Sequence, residues 1–223
     1  MPVVSRRFDA VLFDMDGVLV DSEHRWNDVR AAYAAAHHRP WGPDDQRAVM
    51  GANSSQWARI MRDRLELADE PVDRLQDEIV AGVVDRFGRG EVEVMPGATD
   101  AVRRIAAGWP IAIASSSHRS IIEAAVDLLG LHGVFGAVVS SDEVAHGKPE
   151  PDVYQLAASR LGVAAERCLV VEDSTNGVLA GKAAGAYVVL IPNPTILPAP
   201  EAYEAADAIV ERLADLDPDE LPA

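Results

Sequence analysis

The chain has 223 residues, of which 48% are hydrophobic, enough for one large domain or for a core with an insertion. Its 36 acidic and 20 basic side chains give a net charge of −16, which disfavours binding to nucleic acid and to anionic membranes. Cys168 is the only cysteine, and no segment has the about 18 apolar residues of a membrane span. We therefore expect a cytoplasmic, monomeric protein without a nucleic-acid or membrane partner.

Short apolar runs recur along the chain, each with the length and β-branched content of a buried strand. They are Ala10 to Phe13, Ile111 to Ala114, Ala137 to Val139, Cys168 to Val171, Tyr187 to Ile191 and, more weakly, Ala208 to Val210. Helical patterns such as "RSIIEAAVDLLG" and "PDVYQLAASRLG" lie between them, and several end at glycine. The alternation predicts an α/β fold with a Rossmann-like parallel sheet.

The connection between the first two runs is too long for a simple loop. Its portion from residue 23 to residue 87 contains several helical patterns and no convincing strand. A compact domain does not accommodate such a connection unless it folds separately. We therefore expect an α/β core formed by residues 1–20 and 95–223, and an inserted helical-bundle cap domain formed by residues 21–94.

Carboxylates, hydroxyls and one lysine follow the predicted strands. "DMDG" follows the first strand, "SSSH" the second, "SSDEVAHGKPEP" the third and "EDSTNG" the fourth. Ligands bind beyond the carboxyl ends of the strands in open parallel sheets, so these segments are expected to form one site. Carboxylates gathered there repel each other unless a cation neutralises them, and an all-oxygen set without histidine or cysteine favours Mg²⁺.

Asp14 and Asp16 have an alternative interpretation without a functional role, since aspartate is also common in solvent-exposed turns. The second acidic pair and Lys148 make that alternative a poor account of the whole set.

The same segments resemble the four motifs of the haloacid dehalogenase superfamily. "FDMDGVLVDS" resembles the first motif, "IAIASSS" the second, the lysine of "GKPEP" the third and "VVEDSTNG" the fourth. A DxD alone would be a weak signal, but all four occur in order after successive strands. The resemblance extends over nearly the whole chain. It implies the HAD-like fold with a helical cap, in the branch of β-phosphoglucomutase and the sugar-phosphate phosphatases.

The resemblance also implies roles for individual residues. Asp14 would be the nucleophile that forms an aspartyl phosphate, and Asp16 the general acid and then the general base. Ser115 and Lys148 would bind the phosphate. Mg²⁺ would be held by Asp14, the backbone carbonyl of Asp16 and Asp173.

Neighbouring residues are further candidates. Gly17 allows a sharp turn and can present N–H groups to a phosphate. Ser116 is a second candidate phosphate ligand, whereas Ser117 is better placed to N-cap the following helix. Glu172 either binds the metal or only orients Lys148 or a metal-bound water.

Three further residues are expected near the site without contacting the substrate. Asp142 is a candidate for the metal network and Asn176 for its surroundings, while Gly177 is expected to serve packing.

The cap offers few candidates for substrate specificity. Asn53 and Ser54 belong to the glycine-led loop "MGANSS" and are expected to face the site when the cap closes. Trp26 and Trp57 are expected to pack between helices rather than to contact substrate.

Residue content separates the reactions of the family. A phosphonatase would need a cap lysine, and residues 21–94 contain none; a dehalogenase would lack Asp16 and Asp173. We therefore predict a Mg²⁺-dependent phosphomonoesterase whose partner is a small phosphorylated metabolite, a phosphosugar. The alternative is a phosphosugar mutase of the β-phosphoglucomutase type, although Trp26 and Ser54 occupy positions where the resemblance would place a histidine and an arginine.

An alternative of another class is a non-catalytic phosphate-binding protein or a receiver-like signalling module. Such a module also uses an aspartate, Mg²⁺ and a lysine, but it would need neither the helical insertion nor an acid/base two residues after the nucleophile.

Overall fold

The centre of the computed structural model, which describes residues 7–49, 52–193 and 196–222, is a six-stranded parallel sheet. Its strand order is β5-β4-β1-β6-β7-β8. These strands are β1 (Ala10–Phe13), β4 (Ile111–Ser115), β5 (Ala137–Ser140), β6 (Cys168–Glu172), β7 (Tyr187–Leu190) and β8 (Ala208–Ile209). All six predicted strands are confirmed, with bounds that differ by no more than one residue.

Helices cover both faces of this sheet. They are α5 (Ala98–Ala106), α6 (Arg119–Leu129), α7 (Asp152–Leu161), α8 (Thr175–Ala183) and α9 (Pro200–Ala205). In β1, Val11 and Phe13 pack into the hydrophobic cluster that contains α5 and α6, while Ala10 and Leu12 pack into the cluster that contains α7 and α8. Burial on both sides explains why the strand sequences are continuously apolar rather than alternating.

Among the described residues between the first strand of the large sheet and α5, four helices are found. They are α1 (Glu23–Ala36), α2 (Pro43–Val49), α3 (Ser54–Arg64) and α4 (Val72–Gly88), and together they form what we call the helical insertion, residues 23–88. A two-stranded antiparallel ribbon flanks it, made of β2 (Val20–Asp21) and β3 (Glu93–Val94). The pairing of these two segments was not predicted from the sequence. None of the helices in the described part of the chain is long and apolar enough to cross a membrane.

Candidate active site

Two neighbouring strands bring the acidic residues together. Asp14 directly follows β1 and Asp173 directly follows β6, and the two strands pair in parallel with Phe13 opposite Val171. Carboxylate oxygens of Asp14, Glu172 and Asp173 lie within 4.8 Å of one another. The predicted convergence of charged groups at this edge of the sheet is therefore observed.

Lys148 lies between two of these carboxylates. Its Nζ donates to Asp14 Oδ1 at 2.6 Å and to Glu172 Oε1 at 2.6 Å, and all three side chains are buried. Burial disfavours the charged amine, but the Asp14 and Glu172 carboxylates outweigh this effect and raise the pKa of Lys148. The lysine is thus a permanently charged partner for the cluster at neutral pH.

Glu172 is held by donors of the protein itself. Besides Lys148, it accepts hydrogen bonds from Tyr154 OH at 2.6 Å, the backbone N–H of Asp173 at 3.0 Å, and the N–H and Oγ of Ser174 at 3.1 and 3.0 Å. Burial alone would raise the pKa of Glu172, but Lys148 and these donors lower it. Of the two alternatives for Glu172, this geometry favours the orientation of Lys148 over direct metal binding.

Two glycines have side-chain neighbours that exclude a Cβ atom. A Cβ on Gly177 would lie 1.7 Å from Glu172 Oε1, so the packing role expected of this residue is observed. Gly17 has φ +82°, and a Cβ there would lie 1.8 Å from Asp173 Oδ2. Both glycines therefore make room for a carboxylate of the cluster.

The cluster carries more negative charge than Lys148 offsets. Burial raises the pKa of Asp14 to about 7. Burial also raises the pKa of Asp173 well above its usual value, and the nearby Glu172 and Asp14 carboxylates add to this effect. Asn193 Nδ2 donates to Asp173 Oδ2 at 3.2 Å, which relieves only part of the repulsion. A cation beside Asp14 and Asp173 would stabilise their ionised forms.

Asp16 is held by two hydroxyls. Ser117 Oγ donates to its Oδ2 at 2.8 Å, and Ser22 Oγ donates to its Oδ1 in a short contact. Ser22 immediately precedes α1, and Ser117 follows β4. The side chain of Asp16 is thus positioned by one hydroxyl at the start of α1 and by another just beyond β4.

The three serines at the end of β4 and just beyond it differ from the sequence prediction. Ser115 is fully buried, accepts a hydrogen bond from the Ser117 N–H at 3.0 Å, and does not line the cavity, whereas Ser116 and Ser117 do. The N-cap of α6 is His118, whose side chain accepts from the Ser120 N–H. The predicted capping role of Ser117 is therefore wrong, because its hydroxyl is bonded to Asp16 instead.

The predicted specificity residues, Asn53 and Ser54, are not among the residues that line the cavity described below. Ser54 donates its N–H and Oγ to the Asp142 carboxylate at 3.2 and 2.9 Å, and Asn53 caps α3 in a reciprocal pair with Gln56. The role of Asn53 and Ser54 in specificity therefore stays a prediction, and Asp142 lies outside the acidic cluster. A carboxylate is favourable at the N-terminus of α3, where backbone N–H groups are free. Gly51 of the same loop lies outside the described residues.

A cavity of about 270 Å³ opens between the sheet edge and the helical insertion. Its sheet side includes Asp14, Asp16, Gly17, Ser116, Ser117, Lys148, Asp173 and Asn176. Its other side includes Glu23, Trp26, Arg30, Val49, Ala52 and Trp57. The volume lies near the lower end of those of small-molecule sites, so the cavity suits a small metabolite.

Sequence reasoning missed Glu23 and Arg30 in this cavity. With Trp26 they lie at positions i, i+3 and i+7 of α1, which share one face of a helix, and this spacing could have found them. Trp26 and Trp57 pack edge to face with centroids 5.8 Å apart, as expected, but they also line the cavity.

The family model for haloacid dehalogenase-like hydrolases matches residues 8–185, which contain all of the motifs described above. The chain belongs to this family. It is an enzyme, a HAD-type phosphatase, and neither a receiver-like module nor a non-catalytic binding protein. The resemblance found in the sequence and the HAD-like fold class are thereby confirmed.

Individual relatives cover the chain to different extents. It is 34% identical to the fructose-1-phosphate phosphatase YqaB of Escherichia coli over 80% of this chain and 94% of the relative. It is 32% identical to a bifunctional riboflavin kinase/FMN phosphatase of Arabidopsis thaliana, over 92% of this chain but only 54% of that longer protein. The crystal structure of CbbY from Rhodobacter sphaeroides in complex with phosphate superimposes with a TM-score of 0.81 at 27% identity, covering 93% and 96% of the two chains.

Proposed function

We propose that this HAD-like hydrolase is a Mg²⁺-dependent phosphomonoesterase that acts on small phosphosugars through an aspartyl-phosphate intermediate. The observation that carries the proposal is the position of Asp14, whose carboxylate lies in the cavity between Lys148 and Asp173 with Asp16 beside it. A nucleophile, an acid/base and a cation for the phosphate thus border one space.

The residues at this edge of the sheet fit Mg²⁺. Asp14 and Asp173 offer carboxylate oxygens whose ionised forms lack sufficient compensation, and no nitrogen or sulfur ligand belongs to the described cluster. We propose that these two carboxylates and the backbone carbonyl of Asp16 hold the ion, while Glu172 supports them from outside. When bound, Mg²⁺ would offset the negative charge of the carboxylates and of the phosphoryl group.

The proposed reaction has two steps. In the first, an Asp14 oxygen forms a bond to phosphorus, the bond from phosphorus to the ester oxygen breaks, and protonated Asp16 gives its proton to the leaving oxygen. In the second, water attacks the phosphorus, Asp16 takes a proton from that water, and Asp14 is released with inorganic phosphate. Lys148 and Ser116 bind phosphate oxygens, and Ser22 and Ser117 hold Asp16 in position.

A phosphosugar is the proposed substrate class for two reasons. The Escherichia coli relative is named for such a substrate, and the cavity combines aromatic and charged side chains opposite Asp14. Nothing in the cavity favours the mutase alternative, since none of the described residues that line it is a histidine. We also propose that residues 21–94 form the cap domain, and that the enzyme is a cytoplasmic monomer.

The experiment that tests the proposal measures phosphate release from a panel of hexose and pentose phosphates, with Mg²⁺ and with EDTA. We expect turnover only with Mg²⁺, and a loss of about 10³-fold or more in Asp14→Asn. Asp9→Asn is a matched control, because Asp9 is an exposed carboxylate at the other end of β1. Equal activity of Asp14→Asn and the wild type would refute the proposal. Faster conversion of β-glucose 1-phosphate to glucose 6-phosphate than to free phosphate would establish the mutase instead.

A further inference from the structure

Arg30 is a buried cation whose hydrogen-bond donors are only partly used. Its side chain is 4% exposed, its Nε has no hydrogen-bond partner, and no carboxylate forms a salt bridge with it among the described residues. The guanidinium carbon lies 4.7 Å from the ring centroid of Trp26 and 5.3 Å from that of Trp57. These rings attract the cation, but they accept no strong hydrogen bonds from its N–H groups. The donors of Arg30 are therefore under-used in a place where burial makes unpaired donors costly.

Glu23 complements Arg30 on the same helix face. A side-chain amide connects the two residues: Gln46 Nε2 donates to Glu23 Oε1 at 2.6 Å, and Arg30 Nη1 donates to Gln46 Oε1 at 3.4 Å. Burial lowers the pKa of Arg30 to about 10 and raises the pKa of Glu23, so each group is stabilised only partly by the other. One anion and one cation thus lie side by side on the wall of the cavity.

The charge balance of this wall decides which kind of ligand group fits it. A second phosphate or a carboxylate would meet Arg30 but would also lie near the Glu23 carboxylate, which repels it. A pair of neighbouring hydroxyls has no net charge and offers both functions: one hydroxyl oxygen accepts from the guanidinium, and another hydroxyl donates to the carboxylate. The two indoles supply apolar surface for the carbon atoms beside such hydroxyls.

We propose that Arg30 is a specificity-determining residue that donates hydrogen bonds to a hydroxyl of a polyhydroxylated leaving group, while Glu23 accepts from an adjacent hydroxyl. This inference rests on the proposed phosphomonoesterase function and specifies how the part of the substrate beyond the phosphate is bound. Arg30 acts in substrate binding and has no part in the transfer of the phosphoryl group.

The test compares three probes that share a phosphate ester and differ beyond it: the best hexose phosphate of the panel, hexyl phosphate, which has no hydroxyl, and phosphoglycolate, which has a carboxylate. In the wild type we expect the hexose phosphate to have the highest kcat/KM. Arg30→Met keeps an unbranched apolar side chain beside the indoles. In this variant the kcat/KM for the hexose phosphate should fall about tenfold to a hundredfold, chiefly through a rise in KM. Hydrolysis of hexyl phosphate should change less than about threefold, because that probe does not use the guanidinium.

Two further variants separate binding from folding. Arg47→Met changes an exposed arginine of α2 and should leave all three probes unaffected. Arg30→Lys keeps the charge but loses the planar fork, and it should recover only part of the hexose phosphate activity. Thermal unfolding of each variant shows whether the fold is retained.

The outcomes distinguish the two proposals. An equal loss for hexose phosphate and hexyl phosphate in both Arg30 variants would make Arg30 a structural residue and overturn the inference. A loss confined to phosphoglycolate would overturn it in favour of an anion site. Absence of Mg²⁺-dependent hydrolysis of every probe by the wild type would instead refute the phosphomonoesterase function.

Discussion

The sheet edge and the helical face that border the cavity use charge in different ways. At the sheet edge, Lys148 bonds two carboxylates directly, and Glu172 is held by several more donors of the protein. On the helical face, Glu23 and Arg30 share only the amide of Gln46. The side chains of the sheet edge are fixed in position by hydrogen bonds within the protein. Those of the helical face keep donors and acceptors that a ligand can use. In the proposed reaction, the sheet edge would carry out the phosphoryl transfer and the helical face would bind the part of the substrate beyond the phosphate.

The largest effect is expected where the sheet edge loses its cation. Lys148→Met should lower the free energy of unfolding of the metal-free protein by about 3–5 kcal/mol, because two buried carboxylates lose their partner. Urea denaturation measures this change. The other lysine of the chain provides the control: Lys182 is partly exposed and pairs with Asp207, so Lys182→Met should cost less than about 1 kcal/mol. Equal losses of unfolding free energy in the two variants would mean that the buried network adds no more to stability than the partly exposed pair.

Metal binding is the next test of the sheet edge. Mg²⁺ at about a hundred times its dissociation constant should stabilise the wild type by about 2.7 kcal/mol, since the ion binds only the folded cluster. Calorimetry should detect this as a rise in Tm that Asp173→Asn abolishes. Asp142→Asn alters a carboxylate near the same edge that bonds Ser54 instead, so it should retain the full response. A lost response in Asp142→Asn would place that residue in the metal network after all.

The packing of Glu172 against α8 gives a smaller effect. Gly177→Ala should destabilise the protein by about 1–3 kcal/mol, because the new methyl group must displace the Glu172 carboxylate. Gly88, which is exposed at the end of α4, has no neighbour within 4 Å of a Cβ, and Gly88→Ala should be neutral or stabilising by up to about 1 kcal/mol. Chemical denaturation of the pair tests the contrast. A neutral Gly177→Ala would indicate that Glu172 moves freely.

The smallest effect concerns the connection between the two regions. Ser54→Ala removes the hydroxyl that donates to Asp142 and should cost about 1 kcal/mol, the value of a typical hydrogen bond, because the Ser54 N–H still donates to the same carboxylate. Ser55→Ala removes a hydroxyl bonded within the same turn and should change stability by less than about 0.5 kcal/mol. Thermal unfolding distinguishes the two values. If neither variant differed from the wild type, the helical insertion would not depend on this contact.

The sequence was sufficient for the sheet because each buried strand is a short apolar run followed by polar residues. Asp14, Lys148 and Asp173 could be brought together for the same reason, since parallel strands end at one edge. The sequence could not show which of the three serines at the end of β4 and just beyond it faces the cavity. Which of three consecutive hydroxyls faces the cavity depends on the turn itself, where the Ser117 N–H bonds to Ser115 Oγ.

The helical face was harder to predict for a different physical reason. Its residues come from α1, α2 and α3, and their meeting depends on how those helices pack rather than on any contiguous motif. Trp26 and Trp57 are buried core residues that also line the cavity, and nothing in the sequence distinguishes them from core residues that do not. Asn53 and Ser54 are predicted to face the site because they belong to a glycine-led loop of the cap, and in the structure helix capping and the bond to Asp142 use their polar groups.

The hydrogen bond from Ser22 to Asp16 connects the orientation of the Asp16 carboxylate to the start of α1. Ser22 lies between the β2–β3 ribbon and the first turn of α1, and Asp16 itself forms a β-bridge with Val20 of that ribbon. A rotation of α1 about the ribbon would therefore change the direction in which the Asp16 carboxylate points. Asp16 and the helix that carries Arg30 are joined through Ser22 and the ribbon, so in the proposed reaction the position of the leaving group and the direction of the Asp16 carboxylate would change together.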